Sequence, residues 1–399
     1  MDLLYLSHCV PNPPDKGERI RAYHVVRQLA SSGFRVHVAA FARSEQEIQA
    51  ATQLRDCCAS IHVEPLSSQW ALARAACQAL TGDSLMMSFY RSSRLAAYVH
   101  GLIKREPIGA SVAFSTAMAQ YAPPHLPFLL DMTDVDSEKW FQYARLRAPG
   151  WLYAIEGRRL RAEEIRQTRR AAVTFLATTA EAELLKTFVP EAKIDTMENG
   201  VDLGFFDPAK VSVPPELQGR RYIVFVGVLD YFPNQDGVIW FANHVLPQLR
   251  AAGDASEFFV VGRNPPRNVR RLGRLQGVTV VANVPDVRGY LAGARAVVAP
   301  LRLARGIQNK VLEGLAMGKM VLASTAVVNT FGSEVPEGVV HCPTGTAYVA
   351  ALRDGVKTDT QRIRAAAAAR FVWDLQTKKL TDSIRAAKGI PRSGEVTRA

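Results

Sequence analysis

The chain has 399 residues, 48% apolar and 8% aromatic, which is long enough for two separately packed domains and excludes a disordered or fibrous protein. Five cysteines, with Cys57 and Cys58 adjacent, do not pair off into a disulfide framework and point to a reduced cytoplasm. A formal net charge of +12 calls for an anionic partner: a membrane surface, an anionic small molecule or, ranked last because no recognition-helix, zinc-finger or ribonucleoprotein motif is present, nucleic acid.

The start, Met1 to His8, lacks the basic and long apolar regions of a signal peptide and reads as a strand over Leu3–Leu6. No run approaches 18 apolar residues, so no bilayer span is expected. A Pro-rich loop then reaches Asp15-Lys16-Gly17 and opens a helix with Ile20, His24 and Leu29 that stops at Gly33. Gly17 and the helix N-terminus suit close approach of a phosphate; the plainer alternative is a capped βα turn. Strands are expected at Val36–Phe41, Ile61–Val63, Val112–Phe114, Phe128–Leu130 and Val173–Leu176. The run Trp70 to Tyr90, with Leu72, Leu80, Leu85, Met86, Met87 and Phe89, reads as core helix plus loop, with a lipid-facing edge as the sharper option. Asp131, Asp134 and Asp136 cluster at one strand end, where they suit a general base or a cation, and Asp136 or Ser137 is the expected cap of the next helix. Arg158, Arg159 and Arg166 to Arg170, interleaved with Glu156, Glu163 and Glu164, read as a solvated helix face or as contact with an anionic leaflet.

The turn Asn199-Gly200-Val201-Asp202 and the loop to Gly219 join the two halves. Strands follow at Tyr222–Val226, Phe258–Val261, Val278–Val281, Ala296–Ala299 and Val321–Ala323. Strand and helix alternate throughout, the α/β pattern of parallel doubly wound sheets, whose functional edges lie at the strand carboxyl ends. Gly227, closing its strand before Pro233-Asn234, is a close-approach residue for a nucleotide, and Arg263 after Gly262 is a second-line cation. After Pro300-Leu301-Arg302, Gly306 opens a turn into a helix whose face Val311, Leu312, Leu315 and Ala316 is apolar, and Gly318 stops it. Lys310 and Glu313 share the other face, away from the core. Lys310 sits in the first turn, where a diphosphate is favoured, and Glu313 is placed to accept hydrogen bonds from a ribose diol; the alternative is an ordinary surface ion pair. A final helix is expected over about Asp359–Lys388, with a disordered tail from Gly389. The histidines at 8, 24, 37, 62, 100, 125, 244 and 341 show no metal-ligand spacing, and His8, at the first strand's end, is either a ligand contact or a structural residue.

The stretch Pro300-Leu-Arg302, Gly306, Lys310-Val-Leu-Glu313 and Ala-Met-Gly318 resembles the donor-nucleotide motif of GT-B glycosyltransferases of family 4. More narrowly, Pro11–Tyr23, Asp131–Trp140, Asn199–Asp202, Phe225–Phe241 and Arg305–Glu313 resemble the sugar transferases of PEP-CTERM/exosortase exopolysaccharide systems, in order along almost the whole chain. The resemblance implies a GT-B fold, two Rossmann-like doubly wound domains facing a central cleft: residues 1–203 on the acceptor side, 204–375 binding nucleotide sugar, and a helix in 376–399 crossing back. It implies a retaining, hexosyltransferase-type reaction from a nucleoside diphosphate sugar to a lipid-linked or growing exopolysaccharide acceptor. No metal or other cofactor is expected, and the location is cytoplasmic, with peripheral contact to the inner membrane face as an option. Donor residues are then Gly17, Gly227, Asn234, Arg263, Arg302, Arg305, Gly306, Lys310 and Glu313. The acceptor side holds His8, Lys16, Arg21 and Asp136. Asp134 stands where relatives often carry a histidine and is assigned to acceptor activation or oxocarbenium stabilisation; with Lys310 and Glu313 it completes the catalytic set. Two positions depart from the pattern: Val228 replaces an arginine, and Arg305 replaces the first acidic residue. A nucleotide-sugar epimerase, or a non-catalytic scaffold suggested by Arg305, is the alternative. A dehydrogenase is disfavoured because no Gly-x-Gly-x-x-Gly follows the first strand.

Overall fold

Short apolar segments with hardly a polar interruption cannot sit half in water, and the computed structural model buries them on both faces of two parallel sheets. It describes residues 1–79, 82–146, 148–354 and 359–389. The chain divides into two units, Met1–Glu198 with the segment from Trp373 onward, and Asn199–Val372. The divisions precede the sequence boundaries at 203 and 375 because Val201 bridges to Val372 and its N–H donates to the Phe371 carbonyl.

In the first unit β1 (Asp2–Ser7), β2 (Arg35–Ala42), β3 (Ser60–Pro65), β4 (Ile108–Phe114), β5 (Phe128–Thr133), β6 (Val173–Leu176) and β7 (Ile194–Thr196) run in the order 3-2-1-4-5-6-7. In the second, β8 (Tyr222–Val228), β9 (Glu257–Arg263), β10 (Val278–Ala282), β11 (Ala296–Ala299), β12 (Val321–Ala323) and β13 (Val339–His341) run 10-9-8-11-12-13. Each order reverses once, between β1 and β4 and between β8 and β11, and such a switch point opens a crevice at the strand carboxyl ends. The sequence reading lacks β7 and β13, three-residue edge strands that pair on one side only.

One face of the first sheet, with Leu3, Tyr5, Val36 and Val112, packs on helix Gly17–Ser31 and on Leu380 and Ile384 of helix Trp373–Ala387. The final helical segment is therefore two helices, Thr360–Arg370 and Trp373–Ala387, broken at Phe371 and Val372 where the chain passes from one unit to the other. The expected tail beyond Gly389 and Leu80 of the apolar run lie outside the described residues. That run forms helices Ser68–Ala79 and Leu85–Phe89; it buries Ala71, Ala75 and Met87 and leaves Trp70 and Leu72 exposed, so it is only partly core.

Candidate functional site

The switch point of the second sheet carries the stronger constellation. Gly227 of β8 pairs in register with Gly262 of β9, and a Cβ on Gly262 would lie 1.8 Å from the Gly227 carbonyl oxygen. A Cβ on Gly227 would lie 3.1 Å from Asn234 Nδ2 and 3.2 Å from Lys310 Cε, so the missing side chain is the space in which the lysine stem runs. Lys310 leads in from helix Asn309–Ala316 and is only 8% exposed, which corrects the expectation that it faces away from the core. Its ammonium donates to Asn234 Oδ1 at 3.1 Å and to Gln308 Oε1 at 3.4 Å, and lies 5.3 Å from the Phe225 ring centre. Asn234 Nδ2 donates to the Val228 carbonyl at 2.7 Å, which orients the amide so that its oxygen meets the cation.

Burial pushes Lys310 down to about 8, opposed by the Glu313 charge, and pushes Glu313 up to about 7, opposed by Lys310. Lys310 is buried beside the end of β8 and so is no surface ion pair; buried titratable groups near a switch point are candidates for a ligand site. Gly306, at φ +62°, turns the loop into the helix, and Gln308 ties that loop by donating to the Arg305 and Gly306 carbonyls. Asn199 donates to the Ile307 carbonyl and to Asn309 Oδ1.

The other donor-side cations are arranged differently. Arg302 is 60% exposed and paired with Asp236, so its charge is largely met within the protein and screened by water. Arg263 is exposed at the end of β9, and Arg305 is half-buried beside the turn. Lys310 is thus the buried cation of this set.

In the first unit His8 follows β1, with Nδ1 3.3 Å from the Phe114 carbonyl and Nε2 3.4 Å from Glu18 Oε2. The His8 hydrogen bond holds Glu18 down at about 2. Gly17 opens helix Gly17–Ser31 and is exposed, with Lys16 half-buried before it. Arg21 does not belong to an acceptor surface: it is 1% exposed and its Nε and Nη2 clasp the carboxylate of Asp131, itself fully buried. It points inward because its helix position is one turn before Val25, on the face packed against the sheet.

Asp134 is half-buried after β5, next to Thr133 at φ +71°, and Ser115 after β4 is at φ +80°. Strained backbone at two neighbouring strand ends is a common mark of a binding edge. Helix Asp136–Leu146 starts at Asp136, and its first turn is held by two glutamates from other helices. Glu181 accepts from the Val135 N–H at 2.8 Å, and Glu164 accepts from the Ser137 N–H at 3.0 Å and from its hydroxyl at 2.5 Å. Ser137 is thereby excluded as the cap, and the glutamates supply the acceptors.

Glu164 and Glu156 are 0% and 1% exposed, which overturns the solvated-face reading for that stripe of helix Gly150–Arg170. Glu156 accepts from Ser84 Oγ and from the N–H groups of Leu85 and Met86. Burial pushes Glu164 up to about 8. Among the described residues, two groups could gather a cation, His8–Cys9–Glu18 and Asp2–His37–Glu106, each with ligand atoms within 4.8 Å of one another. The first is poorly prepared, since burial pushes the Cys9 thiol up to about 12; Arg35 already pairs with Asp2 and Glu106 in the second.

Residues 220–357 match the family model of glycosyl transferases group 1. Sucrose-phosphate synthase from Thermosynechococcus elongatus superposes with a TM-score of 0.67 at 15% identity, covering 97% of this chain and 99% of that one. The chain has the two-domain fold of GT-B glycosyltransferases. The Anabaena protein HepE in complex with UDP follows at TM-score 0.65 and 14% identity, covering 97% and 100%. A UDP-forming trehalose-phosphate synthase from Burkholderia xenovorans gives 0.61 and 11%, covering 96% and 99%. At these identities the superpositions speak for the fold. No curated protein matches the sequence.

Gly227, Asn234, Gly306, Lys310 and Glu313 all fall inside the matched stretch. Sequence reasoning missed Gly262, Gln308 and Asn199 as supports of the site. Gly262 had a signal, a glycine at the end of an unbroken apolar strand. Gln308 and Asn199 had none, because their partners are carbonyls set by loop conformation.

Proposed function

We propose that the enzyme binds a nucleoside diphosphate sugar at the carboxyl edge of the second sheet. It transfers a hexose-type sugar, with retention, to a lipid-linked or growing exopolysaccharide acceptor, as family 4 enzymes of PEP-CTERM systems do. The buried Lys310 ammonium, steered by Asn234 over Gly227, carries this reading. Neighbours of the same fold hold UDP and UDP-glucose, which supports a uridine nucleotide as the first donor to try.

In the proposed reaction Lys310 and the first-turn N–H groups of helix Asn309–Ala316 neutralise the departing diphosphate. Glu313 accepts from the ribose diol. No metal is required, because the cation is already in place. Asp134 acts on the acceptor side, with His8 and Asp136 beside the same sheet edge. The proposed setting is the cytoplasm; among the described residues no helix is long and apolar enough to cross a membrane.

A melting-temperature screen of UDP, GDP and ADP tests the donor, since only a ligand of the native state raises it. Lys310→Ala is expected to weaken UDP by about 1.5–3 kcal/mol and uridine hardly at all. Equal losses for both would remove Lys310 from the phosphates. Transfer is expected to persist in excess EDTA, and activity lost on chelation and restored by Mn²⁺ would refute the metal-free assignment.

A further inference from the structure

Helices Asp136–Leu146 and Gly150–Arg170 form a hairpin between β5 and β6. Its register is antiparallel: Ser137 bonds to Glu164, Phe141 packs on Gly157, and the rings of Tyr143 and Tyr153 lie 6.1 Å apart. Beyond that last pair the tip presents Leu146, Trp151 and Leu152, which are 67%, 64% and 49% exposed. Large apolar side chains in water are unfavourable by about 25 cal/mol per Å², and the body beneath them is firmly held by the buried Glu156 and Glu164 bonds. Loose packing therefore does not explain the exposure. Arg145 adjoins the tip and Arg158 lies about two turns below it on the second helix, both exposed and without an ion pair among the described residues.

A tip with an exposed tryptophan and two exposed leucines, backed by two exposed arginines, matches the water–lipid boundary, where indole rings settle and arginines meet lipid phosphates. We propose that this tip docks the enzyme on an anionic bilayer surface. Trp151, Leu146 and Leu152 enter the headgroup–acyl boundary, and Arg145 and Arg158 contact lipid phosphates. The chain's net charge of +12 favours the same partner. The inference rests on the lipid-linked acceptor reading, because the hairpin leaves the sheet edge that carries Asp134. The eleven residues Asp136–Leu146 span about 16 Å, so docking would hold that edge at most about that far from the boundary that Leu146 enters.

The test is flotation of the full-length protein with vesicles of phosphatidylcholine alone or mixed with phosphatidylglycerol, together with tryptophan emission. Binding is expected to the mixed vesicles, weakened by salt, with a blue-shifted emission. The double variant W151S/L152S is expected to lose about tenfold in partitioning while keeping its melting point and its UDP response, and R145E/R158E to lose binding by charge. Unchanged partitioning of both variants, or equal binding to neutral vesicles, would overturn the proposal. So would a concentration-dependent dimer that W151S/L152S abolishes in the absence of vesicle binding. Failure of docking while a detergent-solubilised lipid-linked acceptor is still glycosylated would sink this inference alone. Docking with transfer only to lipid-free acceptors would sink the reading on which it rests.

Discussion

Lys310 titrates near 8 because burial opposes its charge and Glu313 only partly restores it. Only the protonated form attracts a diphosphate, so UDP affinity is expected to fall as pH rises through 8, by up to about tenfold per unit. Calorimetric titration of UDP and uridine from pH 7.5 to 8.8, above the Glu313 value of about 7, checks this, with a UDP loss steeper than any uridine change and absent in Lys310→Ala; a flat wild-type UDP profile would contradict it. Glu164 is shifted the other way, upward. Its folded value of about 8 lies above its ordinary one, so the folded state binds the extra proton and stability is lost as pH rises through 8. Glu164→Gln keeps an acceptor and a donor for Ser137 without the charge. Its melting temperature is expected to decline less than the wild type's between pH 5 and 9 and to exceed it at pH 9. Parallel declines would mean that Glu164 is ionised throughout.

At the scale of the element, the paired glycines of β8 and β9 decide whether the site can form. Gly227 gives room to a flexible lysine stem, but the atom facing Gly262 is a backbone carbonyl that cannot turn aside. Gly262→Ala is therefore expected to destabilise the second unit by about 2 kcal/mol or more, whereas Gly227→Ala weakens UDP binding with a smaller cost in stability. Chemical denaturation with and without UDP separates the two effects; the reverse ranking would show that the strand pair is more pliable than the lysine. The hairpin Asp136–Arg170 is a second such element, since its inward Glu164, with Glu181 from the helix after β6, holds the backbone just after Asp134.

For the whole molecule, helix Trp373–Ala387 closes the first unit from the far end of the chain. Trp373 stacks on His24 at 4.9 Å, Leu380 and Ile384 enter the core under β1, and Arg385 donates to the Ser32 carbonyl. Leu380→Ala/Ile384→Ala is expected to cost several kcal/mol, about 2–5 for each cavity. The loss should fall on the first unit while the second keeps its response to UDP. Hydrogen exchange resolved by segment is the measurement, and faster exchange spread over 199–372 would refute this division of the core.

Much of this architecture is carried by local pattern. Of the thirteen strands among the described residues eleven stand out as apolar runs, and the helix with Lys310 and Glu313 follows from its spacing after Gly306. Edge strands β7 and β13 escape because three residues paired on one side need no continuous apolar run. Periodicity and glycine punctuation act over a few residues, and they suffice for the alternation of strand and helix and for a cation and an acid at one helix start. Local pattern does not reveal that Asn234, 76 positions from Lys310, holds its ammonium, that Arg21 clasps Asp131, or that two glutamates of an arginine-rich helix face inward. Those outcomes depend on which distant groups meet where water is excluded, and a polar side chain's role is set there by its partner rather than by its neighbours in sequence.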